Sequence, residues 1–253
     1  MNISWPLLTA TTILATSTNF AFAATEPFFE ILVMGGIATL DATDTSLQIS
    51  DSETDKLIQT NDGNWESWTG QVGVGYVSPL THELQTGDVQ WFPLITPQIN
   101  LYYLDGDDIQ GDVYQFESAD FDNLDYNMDF QSTRLMFDLG LTLAAIDRFS
   151  VYAIAGAGIA WNKTDLNANP NQQGIDCGAI GFDIDSKTSS SFAYEFGGGM
   201  TYAAMDNLAI SLEYLYTGFT DVELGNDSDE FDIESQDLDI NSQAVLLGLR
   251  FAL

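Results

Sequence analysis

Basic residues are nearly missing from this chain. Its 253 residues hold only 6 Lys and Arg against 38 Asp and Glu, a formal net charge of −32. So negative a surface cannot track phosphates, which excludes nucleic acid as a partner. Cysteine is also scarce: Cys177 is the single one, so no intramolecular disulfide forms and a small disulfide scaffold is excluded. Its simplest reading is an incidental loop thiol rather than a redox or intermolecular one. Histidine occurs once, at His82. Beyond the N-terminus, no run reaches the roughly 18 uninterrupted apolar residues that a membrane helix needs. The chain is nevertheless 45% hydrophobic, too apolar for intrinsic disorder.

The length permits one large β domain or two ordinary ones. Residues 1–23 read as a secretory signal peptide. An apolar stretch through Leu7, Leu8, Ile13, Leu14 and Ala15 ends at the small-residue pattern Ala21-Phe22-Ala23, with cleavage after Ala23 or Ala24. The segment departs from the rule in having no Lys or Arg before its apolar stretch. A membrane anchor competes, but Thr and Ser interrupt the stretch and it is short for a span. No Cys follows the cleavage site, so it is not a lipoprotein signal. If the mature chain, residues 24–253, enters a membrane, it must do so as a closed β-barrel, because no other helix-free structure satisfies every backbone group.

Period-two alternation recurs eight times, each over roughly ten residues, the length of a tilted membrane strand. Trp68, Gly70, Val72, Val74 and Tyr76 alternate with Thr69, Gln71, Gly73 and Gly75. Leu135, Phe137, Leu139 and Leu141 oppose Ser132, Arg134, Asp138, Gly140 and Thr142. Further segments cover about 27–40, 91–103, 149–162, 192–202, 208–217 and 243–253. In the 91–103 segment Pro93 and Pro97 each remove a ladder donor and are expected to mark bulges. The connections alternate between short (80–89, 144–148, 203–207) and long (41–66, 105–129, 162–191, 218–242), and the long ones hold 29 of the 38 acidic residues. Short turns at one end and long loops at the other are the signature of an outer-membrane barrel. A soluble lipocalin-like barrel or sandwich would turn the large apolar residues inward. Here Trp or Tyr closes the ends of the apolar stripes, as in the aromatic girdles of a lipid-facing band.

Six ionisable residues fall within the spans: Glu30, Arg134, Asp138, Glu195, Glu213 and Arg250. All lie opposite the apolar stripe. A one-residue slip would place all six in hydrocarbon at a summed cost on the order of 10 kcal/mol, so they are assigned to the interior. Met34, Phe92, Tyr102, Met136 and Tyr152 are expected to fill that interior without a wide pore. Arg250 is expected to pair with Glu213 and, across the closure, with Glu30. Arg134 is expected to meet Asp138 or Glu195 through intervening groups.

The strings Gly70-Gln71-Val72-Gly73-Val74-Gly75-Tyr76, Tyr152-Ala153-Ile154-Ala155-Gly156-Ala157-Gly158 and Gly197-Gly198-Gly199-Met200 resemble the small outer-membrane β-barrels of Gram-negative bacteria, the OmpA-like transmembrane and opacity-protein-like group. The ending Gly248-Leu249-Arg250-Phe251-Ala252-Leu253 is similar to the group's assembly signal, with Gly248, Phe251 and Leu253 at its key positions and Leu rather than Phe last. The resemblance implies an all-β, antiparallel up-and-down transmembrane barrel of eight strands behind a signal peptide. It also implies periplasmic termini, extracellular long loops, outer-membrane lipid as surroundings and the barrel-assembly machinery as a partner in biogenesis.

Barrel enzymes of this kind depend on histidine near the outer rim or in the loops. His82 lies instead in the first short turn, so no nucleophile–base pair can be built at the rim and no enzyme is expected. The stretch Asp105-Gly106-Asp107-Asp108-Ile109-Gln110-Gly111-Asp112 fails the EF-hand pattern at its fifth, sixth and twelfth positions. Weak divalent-cation binding around Asp227 and Asp229 stands against a solvated, self-repelling surface. Neither a metal nor a cofactor is expected. Two function classes remain: a surface-interaction or structural component whose acidic loops meet an extracellular partner, and a narrow cation-preferring channel.

Overall fold

The computed structural model describes residues 26–43, 45–50, 53–60, 67–80, 84–106, 109–225 and 237–253. The segment read as a signal peptide, His82 and the Asp227/Asp229 stretch lie outside them. Among the described residues, thirteen strands form one antiparallel sheet. They are β1 (Phe28–Ala42), β2 (Thr45–Ser50), β3 (Glu53–Gln59), β4 (Ser67–Pro79), β5 (Leu84–Thr86), β6 (Val89–Trp91), β7 (Leu94–Asp105), β8 (Ile109–Tyr114), β9 (Asp122–Ile146), β10 (Phe149–Pro170), β11 (Phe182–Met205), β12 (Leu208–Glu223) and β13 (Asp237–Ala252). One short helix, α1 (Gln172–Cys177), joins β10 to β11.

Eight of these strands close a ring in chain order: β1, β4, β7, β9, β10, β11, β12, β13 and back to β1. Closure pairs Glu30 with Ala252 and Ala42 with Ile240, which leaves no free edge on the ring. The chain ends meet at one rim, where the Leu253 N–H donates to the Phe29 carbonyl at 2.9 Å. That rim also carries the two-residue turns Asp147–Arg148 and Asp206–Asn207 and the β5–β6 hairpin. Four long excursions leave from the opposite rim.

In the lower part of the ring the pleat sorts side chains as a lipid-facing barrel requires. Val33, Val72, Ile99, Leu135, Phe137, Ile159 and Leu247 are exposed, while Glu30, Gln98, Asn100, Asp138, Glu195 and Glu213 are buried. Aromatic pairs mark both borders of the apolar band: Phe29 against Tyr76 near the termini and Trp68 against Tyr103 at the other edge. From Trp68 to Tyr76 the strand rises about 27 Å, or about 20 Å along the barrel axis at a 40° tilt, close to the height of a membrane band.

Three expectations need correction. First, much of the long connections is strand rather than loop. β9, β10 and β11 run 25, 22 and 24 residues, far past the band, and β8, β3 and β2 add a sheet to the upper half of β9. Strand parity persists there while the chemistry inverts. Leu124, Tyr126, Met128, Leu166 and Ala168 are buried, and Asp125, Asn127, Asp129, Asn167 and Asn169 face outward. Above the lipid, water is outside, so the apolar residues turn inward. Bulges adjust the parity where needed, at Thr164/Leu166 opposite β11 and at Phe219/Val222 on β12.

Second, Phe92 faces outward. It has φ 51°, its N–H donates to the Leu143 carbonyl, and its side chain is exposed. The register against β9 slips by one between Trp91 and Ile95, so Pro93 does sit at a bulge. Third, Pro97 does not. It stays inside β7 opposite Leu139, and β4–β7 keeps one register from Gly75/Gln98 to Ser78/Ile95.

β7 and β8 pair in succession along the same edge of β9, and Gly106 follows β7 on that line. A Cβ there would lie 1.2 Å from the Phe130 carbonyl oxygen, so only glycine permits this close approach to β9.

Candidate functional site: the barrel interior and its crown

Two regions are stacked inside the wall. Nearest the termini lies a polar lumen, opening on a recess of about 60 Å³ among Phe28, Thr96, Thr142, Ser150, Tyr152 and Arg250. The six ionisable residues singled out from the sequence all project into this lumen and are all buried. Arg250 Nη1 donates to Glu30 Oε1 at 2.9 Å, and its Nη2 lies 3.6 Å from Glu213 Oε2. Ser211 and Tyr152 accept from Nε and Nη2, and the Tyr152 hydroxyl donates to Glu213 at 2.7 Å.

A second group sits higher. Arg134 Nε lies 3.5 Å from Glu195 Oε2 with no side chain between them, a direct contact where an indirect one was expected. Asp138 does not join that pair through Arg134. It accepts from Asn100 Nδ2 at 2.5 Å, and Glu195 accepts from the Tyr102 hydroxyl at 2.7 Å. The Gln71 amide donates to Tyr102 at 3.0 Å. The lumen therefore binds four acids to two arginines through tyrosine and carboxamide donors, which sequence reasoning did not single out apart from the bulk of Tyr102 and Tyr152. Their signal was present: Gln71, Gln98, Asn100, Tyr102 and Tyr152 are polar or amphipathic residues on the inward parity.

The upper region is an apolar core, from Leu40, Leu47 and Leu57 through Leu104, Ile109 and Leu124 to Phe219, Val222, Leu238 and Ile240. Phe130 and Phe219 meet edge to face at 5.4 Å across it. Arg134 marks the border, with its guanidinium carbon 4.3 Å from the Tyr102 ring centre and 5.7 Å from that of Phe219. Such a core lets the wall stand above the membrane as a water-soluble sandwich would. We call this upper part the crown.

The crown's outer face is acidic. Asp112 and Asp125 are cross-strand partners, with Asp122 nearby. Partial burial, then mutual repulsion, raises the carboxyls of Asp112 and Asp122 above the usual carboxylate range. No group of three or more Asp, Glu, His or Cys placed to hold a metal ion occurs among the described residues. Cys177 is exposed at the end of α1.

The family model for the outer membrane protein β-barrel domain matches residues 8–251. The chain belongs to that family. Family membership places it in the outer membrane of a Gram-negative bacterium. No curated protein sequence matches it. Among solved structures it is similar to Neisserial surface protein A (NspA), at 12% identity over 89% of this chain and 97% of that one, with a TM-score of 0.40. It is also similar to the outer membrane protease OmpT from Escherichia coli, at 9% identity over 92% and 100% with a TM-score of 0.42. A third is Ail of Yersinia pestis, solved with the heparin analogue sucrose octasulfate, at 13% identity over 88% and 99% with a TM-score of 0.35.

Proposed function

We propose that this barrel is a surface-interaction component: a sealed transmembrane anchor that carries a folded acidic crown outside the cell. The observation that supports it is the apolar core from Leu104 to Ile240 stacked directly on the polar lumen. Ions entering from the termini would meet Phe130, Phe219 and Leu104, residues that offer no ligand to replace lost hydration. In this reading the termini and short turns are periplasmic and the crown is extracellular. The apolar band rests in outer-membrane lipid, and the barrel works without catalysis, metal or cofactor.

Biogenesis follows from the same reading. Phe251 at the end of the closing strand and Leu253 just past it face outward, while Gly248 lies on the inward side opposite Met34, so the two apolar side chains are what the barrel-assembly machinery would meet. The four lumenal acids favour the competing reading, a narrow cation channel, only if a water path crosses the crown. Planar-bilayer recording tests this: purified barrel should give no steady unitary current, and stable cation-selective steps would overturn the anchor reading.

A further inference from the structure

We infer that the rim of the crown is a docking surface for a cationic amphipathic segment of a partner protein or peptide. This rests on the extracellular, interaction-making reading above and names the chemistry of the partner. Four large apolar side chains stand out at the tips, far from the lipid-facing band: Phe116 at 57% exposure, Phe121 at 49%, Ile175 at 63% and Ile180 at 65%. Phe116 and Phe121 pack edge to face at 5.9 Å on the β8–β9 tip. The two isoleucines belong to the β10–β11 tip.

The tips are tied together. The Asn171 N–H donates to the Asn123 carbonyl at 3.0 Å, and its side chain donates to the Asp122 carbonyl at 3.1 Å. Asn171 also caps α1, accepting from the Gly174 N–H at 3.0 Å, so the helix bearing Ile175 is fixed beside the strand that follows Phe121. The Phe116 N–H donates to Asp55 on β3 at 3.0 Å, which joins the β2–β3 hairpin to the same rim. Phe116 and Glu117 both hold positive φ, a conformation that bulky residues leave unless the surroundings impose it. The apolar side chains are thus held outward on a braced frame.

The charge around them decides the occupant. Glu117, Asp120, Asp122, Asp125, Asp176 and Asp183 surround the tips. The four long excursions together carry 29 acidic residues and three lysines. Of those lysines, Lys187 is already paired with Glu223 at 2.7 Å. A sulfated or otherwise anionic ligand is repelled, and a neutral apolar one leaves the carboxylates unmatched. A segment with Lys or Arg on one face and Leu or Phe on the other satisfies both features.

The test measures binding of the detergent-folded full barrel to three probes at 0.15 M salt, by fluorescence anisotropy. The probes are an 18-residue Leu/Lys amphipathic helix, an oligolysine of the same charge and the same helix with Glu for Lys. The Leu/Lys helix should bind at least tenfold tighter than oligolysine, and the Glu helix should not bind. The variant F116S/F121S/I175S/I180S should lose at least tenfold for the Leu/Lys helix and little for oligolysine. The paired variants F116S/F121S and I175S/I180S serve if the quadruple one does not fold. Equal affinity for the two cationic probes, or an unchanged affinity in folded variants, would overturn the proposal. Bilayer conductance bears on the anchor reading alone, so the two can fail separately.

Discussion

Asp138 and Glu195 face one another across Gly156. The three residues form one row on β9, β10 and β11, each paired with its neighbour in register, and the middle position has no side chain. A Cβ on Gly156 would come within 1.7 Å of Asp138 Oδ1 and 2.8 Å of the Phe137 carbonyl oxygen. The glycine is therefore space for the Asp138 carboxyl rather than flexibility for the strand. Gly156→Val should destabilise the barrel by about 1–3 kcal/mol through overpacking. Urea unfolding in lipid vesicles, read by heat-modifiable gel migration, measures this. A silent Gly156→Val would mean that Asp138 has another rotamer free to it.

The lumenal ion pairs stand on unequal terms, since four acids share two arginines. Removing one partner of a buried pair leaves an uncompensated charge and costs about 3–5 kcal/mol, whereas replacing the whole group with neutral side chains is often close to neutral. Arg250→Met should therefore be severely destabilising, because Glu30 and Glu213 both lose their cationic partner. Arg250→Met combined with Glu30→Gln and Glu213→Gln should recover most of that loss. Comparing the single and triple variants in the same unfolding assay decides it, and a triple variant as unstable as the single one would assign the network a packing role.

Acid should strengthen the crown. Asp112 and Asp122 have folded-state pKa values above their unfolded ones. Between the two values the folded crown holds protons that the unfolded chain has released, so stability falls as pH rises through that window and levels off above it. Amide exchange on β8, between Ile109 and Val113, should accordingly slow as the pH drops from 7 toward 4, after correction for the intrinsic rate. Asp112→Asn should flatten the dependence and raise protection at pH 7. Faster opening in acid would reverse the sign and point to an ion pair there.

The lipid-facing part of this fold was legible because one physical rule governs it. Leu135, Phe137 and Leu139 alternate with Arg134 and Asp138, and only one of the two faces can tolerate lipid. Ring closure and the inward direction of the charges follow from that. The crown was not legible by the same rule. Leu124, Tyr126, Met128 and Phe130 keep the inward parity of β9, but water replaces lipid outside, and a search for outward apolar stripes ends at Thr133. Reading parity alone, with the sign of the alternation left free, would have carried β9 up to Asp122. Phe92 was misplaced for a local reason: the slip beside Pro93 turns it over, and no alternation pattern registers a single inserted residue.

In the anchor reading proposed above, Phe130 and Phe219 close the passage that the polar lumen would otherwise open. They meet directly above Arg134, and Phe130 and Phe219 are both fully buried. Truncating such a ring to alanine removes about 3–5 kcal/mol of packing and leaves a space that its neighbours fill only in part. In Phe130→Ala/Phe219→Ala that space adjoins a guanidinium and the Glu195 carboxylate, so water has polar partners to enter toward. The double variant should still migrate as a folded barrel, because the ring of eight strands and the lipid-facing band are unchanged. In a planar bilayer it should pass small, noisy, cation-preferring currents where the parent protein is silent, and Glu195→Gln in the same background should reduce that preference. If the folded double variant remains silent, the seal lies in the Arg134, Glu195 and Tyr102 cluster itself and the aromatic pair serves only the stability of the crown.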